Sequence, residues 1–204
     1  MKALSPFYNK WFYTGLLVAS LLGGCGSAPP AGESTPAAAQ PVKLPRDYDN
    51  ALRLMQSGDY RAAVPILQRF IAEQPSLAGP HLNLGIAHQK LGETDASMEA
   101  LTKSIELNPS SAVAHHQLGI SYREQGNFDA ALNAYGTSLE LDPGYALAHR
   151  NIGILYDLYL QQPGLALEHY RKYVELATEP DETVNRWIVD LEQRLDVAQA
   201  RIGQ

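Results

Sequence analysis

The 204-residue chain has a single cysteine, Cys25. One thiol cannot close an internal disulfide or build a multi-cysteine metal site, so its place in the chain has to explain it. Positive charge is also scarce: 16 Lys and Arg face 22 Asp and Glu, a formal −6 with a pI near 5.5. That balance offers no basic field to hold phosphates, and nucleic acid is not expected as a partner. Catalytic signatures are missing too. No HExxH, GxSxG, phosphate loop or dinucleotide fingerprint occurs. Ser97, Thr102, Ser104, Ser121, Thr137 and Ser138 sit in helical stretches without a positioned His–Asp pair. The chain is therefore expected to act without catalysis and without a cofactor. Long apolar runs are absent as well; the longest, Trp11 to Leu22, is 12 residues, short of the roughly 20 that a membrane-spanning helix needs.

That run follows Lys2 and Lys10, no acidic residue precedes it, and Gly23-Gly24-Cys25 comes directly after. A charged start, a short apolar stretch and small residues are the order of a secretory signal. The small-small-Cys ending resembles the lipobox of bacterial lipoproteins. The resemblance implies cleavage after residue 24, a diacylglycerol thioether on Cys25 and an acyl group on its new amino terminus. Several acyl chains make a stable anchor, because each buried methylene adds about 0.8 kcal/mol. In lipoprotein sorting an Asp after the cysteine marks inner-membrane retention; Gly26 stands there and favours the outer membrane, on its periplasmic face. Without residues 1–24, 14 basic and 22 acidic side chains leave −8, so attraction to anionic lipid plays no part. Residues 25–44 hold the Pro-, Ala-, Gly- and Ser-rich segment GSAPPAGESTPAAAQPVKL, which has no apolar period and is expected to be a disordered tether reaching on the order of 25 Å.

From Arg46 onward the chain repeats itself. Pro75, Pro109 and Pro143 are 34 residues apart, as are Gly58, Gly92 and Gly126, Gly85, Gly119 and Gly153, and His81, His115 and His149. Each unit is split by a Gly turn into two segments with apolar residues at helical spacing. In the third copy these are Leu118, Tyr122 and Gln125, then Phe128, Ala131, Leu132, Tyr135 and Leu139. Gly85, Gly119 and Gly153 would let the paired helices approach closely, and Gly92 and Gly126 suit a positive φ at a helix end. The spacing predicts stacked helical hairpins, none of which can bury its own faces alone.

The Leu-Gly pair, the Tyr three residues on, the Ala with its aromatic and the closing Pro of residues 112–145 resemble the tetratricopeptide repeat. The expected fold is an all-α, right-handed α-solenoid of about four hairpins, over 45–77, 78–111, 112–145 and 146–178, with a C-terminal capping helix in 179–204. The first copy departs, with Asn50-Ala51 for Leu-Gly and Phe70 where a small residue belongs. In the fourth, Ala131 to Ala166 and Tyr135 to Tyr170 are 35 apart, which places one inserted residue in the turn Leu160–Gly164. Val184, Trp187, Ile188, Leu191 and Leu195 share one face of the last stretch, while Asp190, Glu192, Gln193 and Arg194 lie toward the other; the apolar side should cover repeat four.

The histidines recur at the repeat period, so successive rings are one repeat apart, on stacked helices about 8–10 Å from axis to axis. One ion with bonds of about 2 Å cannot bridge them, so packing explains that row and no metal is expected. The repeat family lines its concave groove with the first helix of each hairpin. The resemblance implies a groove built on Leu52, Ile86, Ile120 and Ile154 at the ninth position. It is flanked by Tyr48, Leu82, His116 and Arg150 at the fifth, and by Met55, Gln89, Arg123 and Asp157 at the twelfth. An apolar row with polar flanks suits a peptide segment; equally, the isoleucines could pack between helices. Members that clamp a C-terminal carboxylate carry Asn at the ninth position and Lys at the fifth, and this chain lacks both. The plan is similar to small pilotin-like lipoproteins that help a secretin ring assemble for pili or secretion. It is also similar to adaptors for a periplasmic protease or peptidoglycan hydrolase. Either way the implied partner is an envelope protein or a peptide segment of one, with the membrane reached through the lipid anchor.

Overall fold

The computed structural model describes residues 46–202. The expected signal, Cys25 and the tether lie outside them. Among the described residues there are nine α-helices and no strand. They pair as α1 (Arg46–Gln56) with α2 (Tyr60–Glu73), α3 (Ala78–Lys90) with α4 (Thr94–Leu107), α5 (Ala112–Glu124) with α6 (Phe128–Leu141), and α7 (Ala146–Ile154) with α8 (Pro163–Leu176). The helix α9 (Glu182–Ile202) follows. The second helix of each hairpin packs on the first helix of the next, which is the all-α solenoid that the period predicts. No helix among these residues is long and apolar enough to cross a membrane.

The turns follow from local chemistry. Asp59, Ser111 and Asn127 each accept the backbone N–H three residues on (Ala62, Ala114, Ala130) and so satisfy one of the free donors that open a helix. Gly58, Gly92 and Gly126 have φ of 82°, 76° and 77°, the left-handed values at which a Cβ is penalised.

Inside the second, third and fourth hairpins the contact is closer than any side chain allows. A Cβ on Gly119 would lie 2.5 Å from the Tyr135 ring, one on Gly153 2.5 Å from Tyr170, and one on Gly85 2.6 Å from Leu101. Each large side chain therefore lies flat on bare helix, and Leu101, Tyr135 and Tyr170 are buried. The first hairpin substitutes Ala51 for the glycine and stacks Phe70 on Tyr48, with centroids 4.9 Å apart. The atypical pair seen in its sequence thus forms a core of its own.

The fourth hairpin corrects the sequence expectation about the inserted residue. The extra residue is absorbed inside the helix, as a π-helical turn over Leu155–Tyr159, with Leu160 N–H donating to the Leu155 carbonyl at 3.0 Å. Gln161 (φ 52°) then takes the left-handed place that Gly58, Gly92 and Gly126 fill elsewhere. Pro163 opens α8, as expected.

The helix α9 is laid down as the first half of a further hairpin. Counted from the first residue of each helix, the third and tenth positions are buried in α5 (Ala114, Ser121), in α7 with the π-helical turn that continues it (Ala148, Leu155) and again in α9 (Val184, Leu191). Asp181 caps it by accepting from the Thr183 and Val184 N–H groups. Val184, Trp187, Ile188, Leu191 and Leu195 form its buried side, against Ala166, Leu167 and Tyr170. The opposite side is less free than the pattern implies: Glu192 accepts from Arg171 at 2.6 Å and Arg194 donates to Asp157 at 2.7 Å. Val189 stands where the hairpins carry Gly85, Gly119 and Gly153, and is 52% exposed.

Candidate concave surface

The first helices bring the groove residues of the sequence analysis into one row along the solenoid, but not all onto an open surface. Leu52, Met55, Leu82, Ile86, Ile120 and Ile154 are half-buried. Ile120 packs on the cluster of Ala131, Tyr135, Ile152 and Leu155, and Ile154 on that of Tyr170 and Leu191. Tyr48 (8% exposed) and His116 (2%) lie between hairpins, as does Gln89. Those three are structural ties before they are groove lining.

The ties follow a rule of register. Asn83 donates to the Tyr48 hydroxyl at 2.6 Å, and Asn151 to the His116 Nε2 at 2.7 Å; each pair joins the fifth position of one hairpin to the sixth of the next. At the junction with α9 the same two positions hold Arg150 and Trp187, and the guanidinium carbon lies 5.4 Å from the indole centroid, a cation–π contact in place of a hydrogen bond. Leu82 and Gln117 occupy these positions between the second and third hairpins. There Gln89 supplies the tie instead, donating to the Gln117 carbonyl (3.2 Å) and the Ser121 hydroxyl (3.0 Å). Burial holds the His116 imidazole down to about 4, the Arg123 charge pushes the same way and the Leu147 backbone opposes. The ring is neutral near pH 7 and accepts from Asn151.

The polar flank at the C-terminal end is engaged as well. Asp157 is paired with Arg194, and Arg150 lies 3.6 Å from Asp181. Arg123 is half-buried. What stays open here combines apolar walls with a polar edge. A cavity of about 560 Å³ is lined by Ile154, Asp157, Leu158, Gln161, Tyr170, Trp187, Asp190 and Arg194. Leu158, carried outward on the π-helical turn, is 66% exposed. Of the groove residues read from the sequence, Ile154 and Asp157 line this cavity. Leu158 was missed, whereas Gln161 lies in the inserted segment Leu160–Gly164 to which the 35-residue offset in the fourth copy pointed. A larger cavity, about 690 Å³, lies away from the row, between α2, α3 and α4, with Ile71, Leu84 and Met98 among its walls.

The periodic histidines have a structural duty. His81 Nε2 lies 3.2 Å from the Pro75 carbonyl and His115 Nε2 3.0 Å from that of Pro109, six residues earlier in each case. His149 stands at the same register, and the Pro143 carbonyl favours its protonated ring. The His81 and His115 ring N–H groups each donate to the turn that joins their hairpin to the previous one. Among the described residues no three His, Cys, Asp or Glu side chains gather as a metal site.

Comparison with known proteins agrees with this geometry. Tetratricopeptide repeat models match residues 48–112, 100–133 and 119–158, together more than half of the chain, which belongs to that repeat family. The solved structure of MamA is 27% identical, with a TM-score of 0.60 over 68% of this chain and 80% of that one. The pilF protein of Pseudomonas aeruginosa is 21% identical, with a TM-score of 0.67 over 76% and 71%. A thermophilic repeat protein of Thermus thermophilus is 20% identical, with a TM-score of 0.63 over 74% and 81%. The latter two likenesses show the fold alone. A search of curated protein sequences finds no match to the chain.

Proposed function

For a chain whose hairpins are tetratricopeptide repeats, an architecture that binds protein partners, we propose the role of a lipid-anchored adaptor at the periplasmic face of the outer membrane. It holds a segment of another envelope protein on its concave surface and acts by binding. The observation that carries this is the open apolar end of the groove: Ile154, Leu158 and Trp187 around a cavity of about 560 Å³, with Leu158 largely open to water. Leu158 joins Ile154 and Trp187 in one continuous lining, and a contiguous apolar patch, unlike a singly exposed residue, marks a contact surface; an apolar anchor with polar neighbours suits a helical or extended segment. The anchor rests on Gly23-Gly24-Cys25. Assistance to pilus or secretin assembly is the pathway we favour, supported by the small size, the tether and a fold shared with the pilF protein.

Capture from envelope extract on the immobilised protein, with mass identification, tests this reading. Leu158→Asp should keep the circular dichroism spectrum and lose the captured partner, because it sets a charge beneath a bound apolar side chain. Leu165→Asp, at an exposed position on α8, should capture normally. A folded Leu158→Asp protein of full affinity would move the site elsewhere. Recovery of a protease or a peptidoglycan hydrolase in place of pilus components would replace the pathway and keep the adaptor.

A further inference from the structure

In the fourth hairpin His149, on α7, and His169, on α8, place their Nδ1 atoms 3.1 Å apart, with ring centroids at 5.2 Å. His149 stands at the register where the Nε2–H groups of His81 and His115 donate to the Pro75 and Pro109 carbonyls, and the Pro143 carbonyl acts on its ring in the same direction. With its hydrogen on Nε2, as in those two rings, His149 keeps a lone pair on Nδ1. His169 must then donate its own Nδ1–H into it, so two nitrogens face each other across one proton. A histidine pinned by a backbone carbonyl with its second nitrogen free is the usual state of an imidazole metal ligand. The distance fits as well. Two metal–nitrogen bonds of about 2.0–2.1 Å bring their nitrogens to about 2.9 Å at a right angle and about 3.4 Å at the tetrahedral angle, and the observed separation of 3.1 Å lies between.

We propose that His149 and His169 form a bidentate site for a borderline divalent transition ion of the Zn(II), Ni(II) or Cu(II) class, with water completing the coordination. Imidazole nitrogen selects these ions, whereas Mg(II) and Ca(II) prefer oxygen. On binding, the ion takes the place of the shared proton and His169 carries its hydrogen on Nε2 instead, so both rings stay neutral. The nearby Lys172 is held by Glu175 at 2.9 and 3.0 Å, which offsets its charge, and Tyr156 lies against the His169 ring at 5.8 Å. Both histidines are half-buried, so a hydrated ion has access. Because α7 and α8 each give one ligand, binding also clips the hairpin that carries the π-helical turn.

Titration of the untagged protein with ZnCl₂, NiCl₂ and CuCl₂ by calorimetry tests the site, with MgCl₂ as control. The expected result is saturable one-to-one binding of the transition ions, a raised melting midpoint and no heat with Mg(II). Electron paramagnetic resonance of the Cu(II) form should show two coordinating nitrogens. His169→Gln, which keeps a hydrogen-bonding side chain on α8, and His149→Ala should each weaken binding by more than about tenfold, while His81→Ala and His115→Ala leave it unchanged. No transition-ion binding by folded wild-type protein would overturn the proposal, as would affinity unchanged in folded His169→Gln. Equal losses in the His81 and His115 variants would overturn it too, since they would mean scattered surface histidines. None of these outcomes bears on the concave surface, so the site and the adaptor reading stand or fall separately.

Discussion

The third and fourth hairpins share one plan and differ by one residue. In the third, Gly119 and Tyr135 are 16 apart and the left-handed Gly126 comes seven after Gly119; in the fourth, Gly153 and Tyr170 are 17 apart and the left-handed residue, Gln161, comes eight after Gly153. In both, the ring lies on the glycine at the same distance, 2.5 Å from where a Cβ would stand. The chain keeps the close contact and lets the helix give way. An extra residue in an α-helix would rotate all that follows by about 100°, whereas a π-helical turn confines the change to one turn. The lesson is that the glycine-on-ring contact ranks above helix regularity, and that the irregular turn throws Leu158 outward while Tyr159 packs on Phe128 at 4.6 Å.

The largest expected effect is loss of the surface on which the fourth hairpin rests. Truncation after Ala177 removes Val184 and Leu191, both fully buried, and should lower stability by on the order of 3–6 kcal/mol; denaturant unfolding measures it, and an unchanged midpoint would show that α9 is not docked. Next come the glycines. Gly119→Ala and Gly153→Ala should each cost about 1–3 kcal/mol, because the ring and helix must part, and the two costs should match if the hairpins truly share the contact. Gly136→Ala, whose Cβ would meet nothing within 4 Å, should instead stabilise by about 0.5–1 kcal/mol.

Acid should separate the hairpins at similar magnitude. The buried His116 is held at about 4, by burial first, and His169 at about 4, by burial and then by His149. Both lie below the unfolded value of about 6.5, so the unfolded chain binds more protons between those limits. Stability is full above about pH 6.5 and falls as pH drops toward about 4. For His116 the loss is on the order of 2–3 kcal/mol; the half-exposed His169 adds less. His116→Asn should flatten most of the slope in pH-dependent melting, and an unaltered slope would assign it to other groups. The smallest effect concerns the turn. Gln161→Gly should stabilise by about 0.5–1 kcal/mol and Gly126→Gln destabilise by about 1 kcal/mol, since only the glycine avoids the left-handed penalty; null effects in both would mean that the φ of 52° at Gln161 is unstrained.

Much of this molecule was legible from period alone. Gly85, Gly119 and Gly153 announced close approach, Gly92 and Gly126 the left-handed turns, and Trp187 and Leu191 the buried side of α9, because each depends on spacing along one or two helices. The groove was less legible. Whether His116 or Ile120 faces water or the next hairpin depends on how far neighbouring helices close, and that distance is set by residues such as Asn151, Ala131 and Ile152 on other segments. The burial of Tyr48, Gln89 and His116 needed the stack. The site of the inserted residue was missed for a related reason. Leu160-Gln-Gln-Pro-Gly164 reads as a long turn, and nothing in Leu155–Tyr159 by itself announces a π-helical turn.

Val189 bears on how such an array is counted. From the second hairpin to the fourth, each is completed by a partner helix that needs bare backbone at one register of the first, and α9 offers a branched side chain there. A further helix brought to hairpin distance would meet that side chain as Tyr135 would meet one on Gly119, so the exposed side of α9 at Val189 is not shaped for the close contact that closes the second, third and fourth hairpins.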